Sequence, residues 1–101
     1  MKQDDCMTRS QTVYCAEQRL YLSYHLTLSH PTGARAVYDL TVEQMGAGGY
    51  ENCRLCDIAA EQSMAVRIWH LFVKERVTPI TAEDIMEQLL SDEAFLYAEE
   101  G

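Results

Sequence analysis

Alternation with a period of two fills the first half of the chain, and a helical period replaces it in the second. From Arg19 to Ser29, Leu20, Leu22, Tyr24, Leu26 and Leu28 fall on one side. Tyr21, Ser23, His25, Thr27 and Ser29 fall on the other, the pattern of a strand with one face on a core. Arg35 to Gln44 repeats it, with Ala36, Tyr38, Leu40 and Val42 against Val37, Asp39, Thr41 and Glu43. Between the two runs, Pro31 presets φ for a turn and Gly33 can take a left-handed conformation. A three-residue loop at Pro31-Thr32-Gly33 would pair Leu28 with Ala36, Leu26 with Tyr38, Tyr24 with Leu40 and Leu22 with Val42. A slip of one residue would set Leu26 against Asp39 and turn the core side toward water. The segment therefore predicts an antiparallel hairpin.

The flanks are less determined. Thr12-Val13-Tyr14-Cys15 is β-prone and reads either as an added edge strand or as the start of one long bent strand. Met1 to Ser10 is polar and predicts a frayed terminus. Met45 to Tyr50 reads as a flexible glycine-rich loop; it lacks the Gly-Lys-Ser/Thr of a phosphate loop. Glu51 to Asp57 reads as a third strand.

From Ala60 to Arg76, Met64, Ala65, Ile68, Trp69, Leu71 and Phe72 give a wide apolar arc. Ser63, Arg67, His70 and Lys74 leave only a narrow polar stripe, so this helix should be covered on more than one side. Thr78-Pro79-Ile80 breaks it. Thr81 is placed to cap a second helix, with Asp84 three residues on. Ile85, Met86, Leu89 and Leu90 would face inward, and Glu83, Asp84, Glu87 and Gln88 outward. Phe95, Leu96 and Tyr97 lie in the tail from Ser91 to Gly101. Strands followed by helices predict one α+β domain, an antiparallel three- to four-stranded meander sheet with two C-terminal helices packed on one face.

Tyr38-Asp39-Leu40, Cys56-Asp57-Ile58, Ile68-Trp69-His70-Leu71-Phe72, Val77-Thr78-Pro79-Ile80 and Ala82 to Leu90, in that order and spacing, resemble a small bacterial family of unknown function. Its members look like a strand hairpin, a third strand ending in Asp-Ile/Val-Ser-Thr, a helix, a Ser-Pro-Ile-type turn and a short acidic helix. The likeness covers about residues 19–91. The chain departs from it at Ala59-Ala60, where the family has hydroxyl residues that would cap the helix. The resemblance implies the fold and no activity or functional residue.

Charge and chemistry narrow the function. The chain has 101 residues, with 16 acidic against 8 basic side chains and a formal net charge of −8. A negative surface repels nucleic acid and anionic membranes. Glu83, Asp84 and Glu87 on the second helix argue further against a DNA-reading helix-turn-helix. The apolar content, 48%, is that of a folded chain. No apolar run reaches the ~18–20 residues of a membrane span, and the polar start lacks the apolar core of an export signal. The expectation is a cytoplasmic protein with free thiols.

Cys53-Arg54-Leu55-Cys56 has zinc or redox spacing. On a strand, however, residues three apart point to opposite faces, so no metal ligand is assigned. His25 on an outward strand face, His30 at a turn and His70 in a polar stripe read as solvated residues. Cys56 could meet His25 on the outward face, yet no third group is evident to orient such a pair. No catalytic residue, cofactor site or metal site is assigned.

Helices on one side would leave the other side of the sheet open. Tyr21, His25, Thr27, Val37 and Cys56 form a candidate partner face there, with Ser23, Asp39, Thr41 and Arg54 among them. The sequence thus points to a non-enzymatic protein–protein interaction or adaptor domain that binds an unknown protein partner or a second copy of itself, with no nucleic acid and no membrane. The alternative is a small-ligand-binding or enzymatic domain with a pocket between sheet and helices near Tyr24 and Trp69.

Overall fold

The computed structural model describes residues 5–29 and 35–96, with side chains at 5–7, 93 and 96 excepted. Four strands, β1 (Asp5–Cys15), β2 (Leu20–Ser29), β3 (Val37–Gly46) and β4 (Gly49–Ala59), form an antiparallel meander in the order β1-β2-β3-β4. Three helices follow among the described residues, α1 (Gln62–Glu75), α2 (Ala82–Leu90) and the short α3 (Glu93–Leu96). This is an α+β fold with the helices after the sheet.

The core-facing residues are those that the alternation indicates. Leu22, Tyr24, Leu26, Tyr38, Leu40 and Val42 are buried and meet Ala65, Ile68, Trp69 and Phe72 of α1. Those α1 positions fall on one side of a 3.6-residue helix, which is why the helix lies along the sheet. In α2 the buried set is Ala82, Met86 and Leu89, while Leu90, expected inward, is exposed. A helix advances about 100° per residue, so Leu90 rotates off the stripe set by Met86 and Leu89.

Two hydrogen bonds tie the layers together. The Trp69 indole donates to the Tyr24 backbone carbonyl at 3.1 Å, and the Tyr24 hydroxyl donates to the Val77 carbonyl at 2.8 Å. Tyr24 and Trp69, proposed from sequence as the lining of a pocket, are instead packed core groups bonded to each other. Desolvation by burial pushes the Tyr24 phenol well above its ordinary pKa.

The register of the central hairpin differs from the expected one by two residues. Leu28 pairs with Tyr38, Leu26 with Leu40, Tyr24 with Val42 and Leu22 with Gln44. The last pair between the strands is Ser29 with Val37, so the connection runs over residues 30–36 and is longer than three residues. The expected turn at Pro31-Thr32-Gly33 lies outside the described residues. A two-residue slip keeps every side chain on its face, so the hydrophobic pattern cannot oppose it.

The N-terminal segment is a strand of its own, turned back on β2 at residues 16–19 and paired from Asp5 onward. The strand therefore includes residues 5–10, which the polar composition had placed in a frayed end. Met45 and Tyr50 belong to strands as well. They flank a tight turn at Ala47-Gly48, where a loop was expected. Gly46 lets β3 lie close against the start of β2, because a Cβ there would come within 2.9 Å of Leu20 Cβ. Gly49 takes φ +117°, a backbone region that side chains rarely adopt.

Helix α1 begins at Gln62 rather than Ala60, with extended Glu61 before it and no side-chain cap. It ends in a Schellman turn, with Val77 N–H bonded to the Phe72 carbonyl and Arg76 N–H to that of Val73. Thr81 does not form the expected capping box. Its backbone is already helical, and its hydroxyl bonds back to Thr78, whose carbonyl and hydroxyl lie at 3.3 and 3.1 Å. The chain enters α2 from this tight turn, so the Thr81 side chain is not aimed at the free N–H groups.

Candidate functional site: the uncovered sheet face

With α1 and α2 on one side, no described element covers the other side of the sheet. Four cross-strand rows run over it. The first is Tyr14, Tyr21, Met45 and Tyr50, paired in that order across all four strands. All four are exposed, between 51% and 57%, and the Tyr14 and Tyr21 rings meet at 4.8 Å. The second row is Thr12, Ser23, Glu43 and Asn52, and the third is Ser10, His25, Thr41 and Arg54. Thr27 and Asp39 pair in the fourth, and Val37 lies beyond them opposite Ser29.

Five residues were selected from sequence as a partner face, and they spread over its whole length. Tyr21 stands in the aromatic row and is exposed. His25, Thr27 and Val37 are half-buried, and Cys56 is exposed near the far end of β4. Their strongest neighbours were not selected. Met45 and Tyr50 had been placed in a loop, and Tyr14 in a segment of undecided pairing. The signal available was Tyr21 itself, a large aromatic on the solvent side of a strand.

The rows are cross-linked by hydrogen bonds. His25 Nδ1 lies 2.7 Å from Ser10 Oγ, and His25 Nε2 lies 2.9 Å from Glu43 Oε1. The Tyr50 hydroxyl donates to Glu43 Oε2 at 2.7 Å. A neutral imidazole that donates from Nε2 to Glu43 and accepts from Ser10 at Nδ1 satisfies all these contacts. The bond from Tyr50, with a smaller contribution from His25, holds the Glu43 carboxyl below its ordinary pKa, and the same bond pushes the Tyr50 phenol up. His25, expected to be a solvated residue, is thus the middle of a series that crosses three strands. Its ring nitrogens are engaged by Ser10 and Glu43, and not by Cys56.

The series contains a hydroxyl, a base and an acid in the order used for nucleophilic catalysis. Here the contact between the Ser10 hydroxyl and the His25 ring lies exposed on an open sheet, where water competes for polar contacts. The bonds to His25 and Tyr50 restrain the Glu43 carboxylate.

Asp39 was expected on the wet face. It is on that face but only 3% exposed. Its Oδ1 accepts the Asp57 N–H at 2.8 Å, and its Oδ2 accepts from Arg54 Nη2 at 2.8 Å and from Ser29 Oγ at 3.3 Å. The Asp57 bond stabilises a left-handed residue, φ 56°, where the pairing of β3 and β4 shifts between Tyr38 and Leu40. Asp39 therefore shapes the end of the face.

Cys53 and Cys56 point to opposite sides of β4, Cys53 half-buried and Cys56 exposed. Burial, with Glu83 nearby, raises the Cys53 thiol pKa. No three His, Cys, Asp or Glu among the described residues are grouped to hold a metal ion. No described helix is long and apolar enough to cross a membrane. On the far side of the molecule, a groove of about 600 Å³ between α1 and α2 is floored by Leu71, Val77, Ile85 and Leu89.

Comparison with family models, curated proteins and solved structures finds no match.

Proposed function

We propose that this chain is a protein–protein interaction domain that docks through the uncovered face of its sheet. The observation that carries the reading is the exposed row of Tyr14, Tyr21, Met45 and Tyr50. Tyrosine and methionine are enriched where proteins meet, because they offer large, semi-apolar contact area. Four such residues in one contiguous row differ from single exposed apolar residues, which need no explanation. The polar series behind the row holds Tyr50 in place, so less side-chain entropy is lost on docking. The domain works in the cytoplasm, where thiols such as Cys15, Cys53 and Cys56 stay reduced.

A photo-crosslinking side chain at Tyr21, compared with one at Glu87 on the outer side of α2, tests the reading in native extract. Discrete protein adducts from position 21 and none from position 87 are expected. The same adducts from both positions, or none from position 21, would refute it.

A second reading, a small-ligand-binding domain, is favoured by the groove between α1 and α2. Its volume of about 600 Å³ falls in the usual ligand range of roughly 300–1,000 Å³. Saturable protection of Ile85 methyl signals by a small apolar ligand would support it, and unchanged signals across a fragment set would count against it.

A further inference from the structure

We infer that the occupant of the uncovered face is a second copy of this chain, stacked sheet on sheet about a two-fold axis parallel to the strands. The inference rests on the docking reading above and names its partner.

Charge selects the face. Each chain carries a formal charge of −8, so two copies repel least where they meet through a surface of low charge. The outer side of α2 presents Glu83, Asp84 and Glu87, all exposed, and cannot serve. On the sheet face, Arg54 compensates Asp39, and the one remaining carboxylate of these rows, Glu43, is hydrogen-bonded by Tyr50 and His25.

The same rows select the axis. A two-fold axis parallel to the strands lays β1 of one copy over β4 of the other, and β2 over β3, without changing the end at which a row lies. The aromatic row then meets its own copy, Tyr14 opposite Tyr50 and Tyr21 opposite Met45. In the next row Glu43 lies opposite Ser23, and Thr12 opposite Asn52. In the third, Arg54 lies opposite Ser10, and His25 opposite Thr41. Carboxylate meets hydroxyl and no like charges meet. An axis across the strands would instead set the aromatic row over the Thr27–Asp39 end.

Area is sufficient. Four half-exposed residues of this size offer about 100 Å² each, or roughly 400 Å² per copy. The three polar rows beside them bring the face near the roughly 800 Å² per partner of a standard stable interface. Sheets packed in this way lie about 10 Å apart and within about 30° of alignment, a spacing that tyrosine side chains fill.

Sedimentation equilibrium of the full chain from micromolar to millimolar concentration tests the inference. The expected result is a mass twice 11.5 kDa at the upper end, with an association that tightens as salt screens the two negative bodies. Tyr21→Glu, which sets new carboxylates near the axis, should weaken the dimer at least tenfold, with the circular dichroism spectrum of the parent retained. Ile80→Glu, on an exposed residue outside the face, should leave it unchanged. A monomer at all concentrations, or a dimer indifferent to Tyr21→Glu, would overturn the inference. If that monomer still forms adducts with another protein from position 21, the docking reading survives and only the second copy is ruled out. If it forms none, both fall.

Discussion

Removing one oxygen, by Tyr24→Phe, tests how sheet and helices are joined. The ring is fully buried in the middle of β2, and its hydroxyl reaches the Val77 carbonyl at 2.8 Å in the link between α1 and α2. Phenylalanine keeps the ring and its packing, so the perturbation is confined to the hydrogen bond. A buried hydrogen bond contributes about 0.5–1.5 kcal/mol net, and an acceptor left unpaired costs about 1–3 kcal/mol. Because the variant leaves the Val77 carbonyl unpaired, the second figure applies, and the expected loss is about 2 kcal/mol at neutral pH. For a domain of this size that is a fall in Tm of roughly 8–16 °C. Urea unfolding followed by the fluorescence of Trp69, the only tryptophan, reads it directly, because the indole bonds to the Tyr24 carbonyl.

Alkali gives a second, independent signature of the same bond. An unfolded tyrosine loses its proton near pH 10, whereas burial keeps Tyr24 protonated well above that. Above pH 10 the unfolded chain therefore binds fewer protons than the folded one, and stability falls as pH rises toward the folded pKa. The slope from this group is about 1.4 kcal/mol per pH unit. Phenylalanine abolishes it, so parent and variant converge in strong alkali. A loss below about 0.5 kcal/mol at neutral pH, with parallel curves above pH 10, would refute the view of Tyr24 as a buried, bonded phenol.

Three further outcomes follow from the geometry. Leu26→Ala and Phe72→Ala each empty a fully buried site and should cost about 2–5 kcal/mol by chemical denaturation. Asp39→Ala removes the acceptor for Asp57 N–H, Arg54 and Ser29; a loss of about 2–3 kcal/mol is expected, with amide exchange accelerated first at Asp57. Tyr50→Phe should move the Glu43 titration, followed by carboxyl carbon shifts, up toward the ordinary value. Glu43 has its pKa depressed in the fold, so what it contributes is present above the ordinary carboxylate value and lost as pH falls through the depressed one. In the variant that loss should be smaller and be complete at a higher pH.

The faces of the sheet were legible in the sequence because a strand repeats every two residues and the leucine–tyrosine side is unbroken. Register was not, since Leu26 packs as well on Leu40 as on Tyr38 and only the length of the connection decides. Glycines misled at Met45 to Tyr50: Gly46 and Gly49 serve close approach and a positive φ inside a hairpin, where composition alone indicates a loop. That error hid two members of the aromatic row. The series through Ser10, His25 and Glu43 had no local signal, because its members come from three strands and meet only once two registers are fixed. Asp39 looked solvated because alternation reports the side of the sheet, and says nothing of an arginine or a bulge that covers it.

Both outer strands are interrupted. The pairing of β1 with β2 shifts between Met7 and Arg9, and that of β3 with β4 between Tyr38 and Leu40, where Asp57 turns the backbone left-handed. A long, straight border would template the addition of further chains into a fibre. Each border here is broken by a kink, so a chain that extended the ribbon along its whole length would have to reproduce the same shift. Such interruptions disfavour lateral growth of the sheet, a safeguard against open-ended polymerisation in a chain with a tyrosine-rich surface.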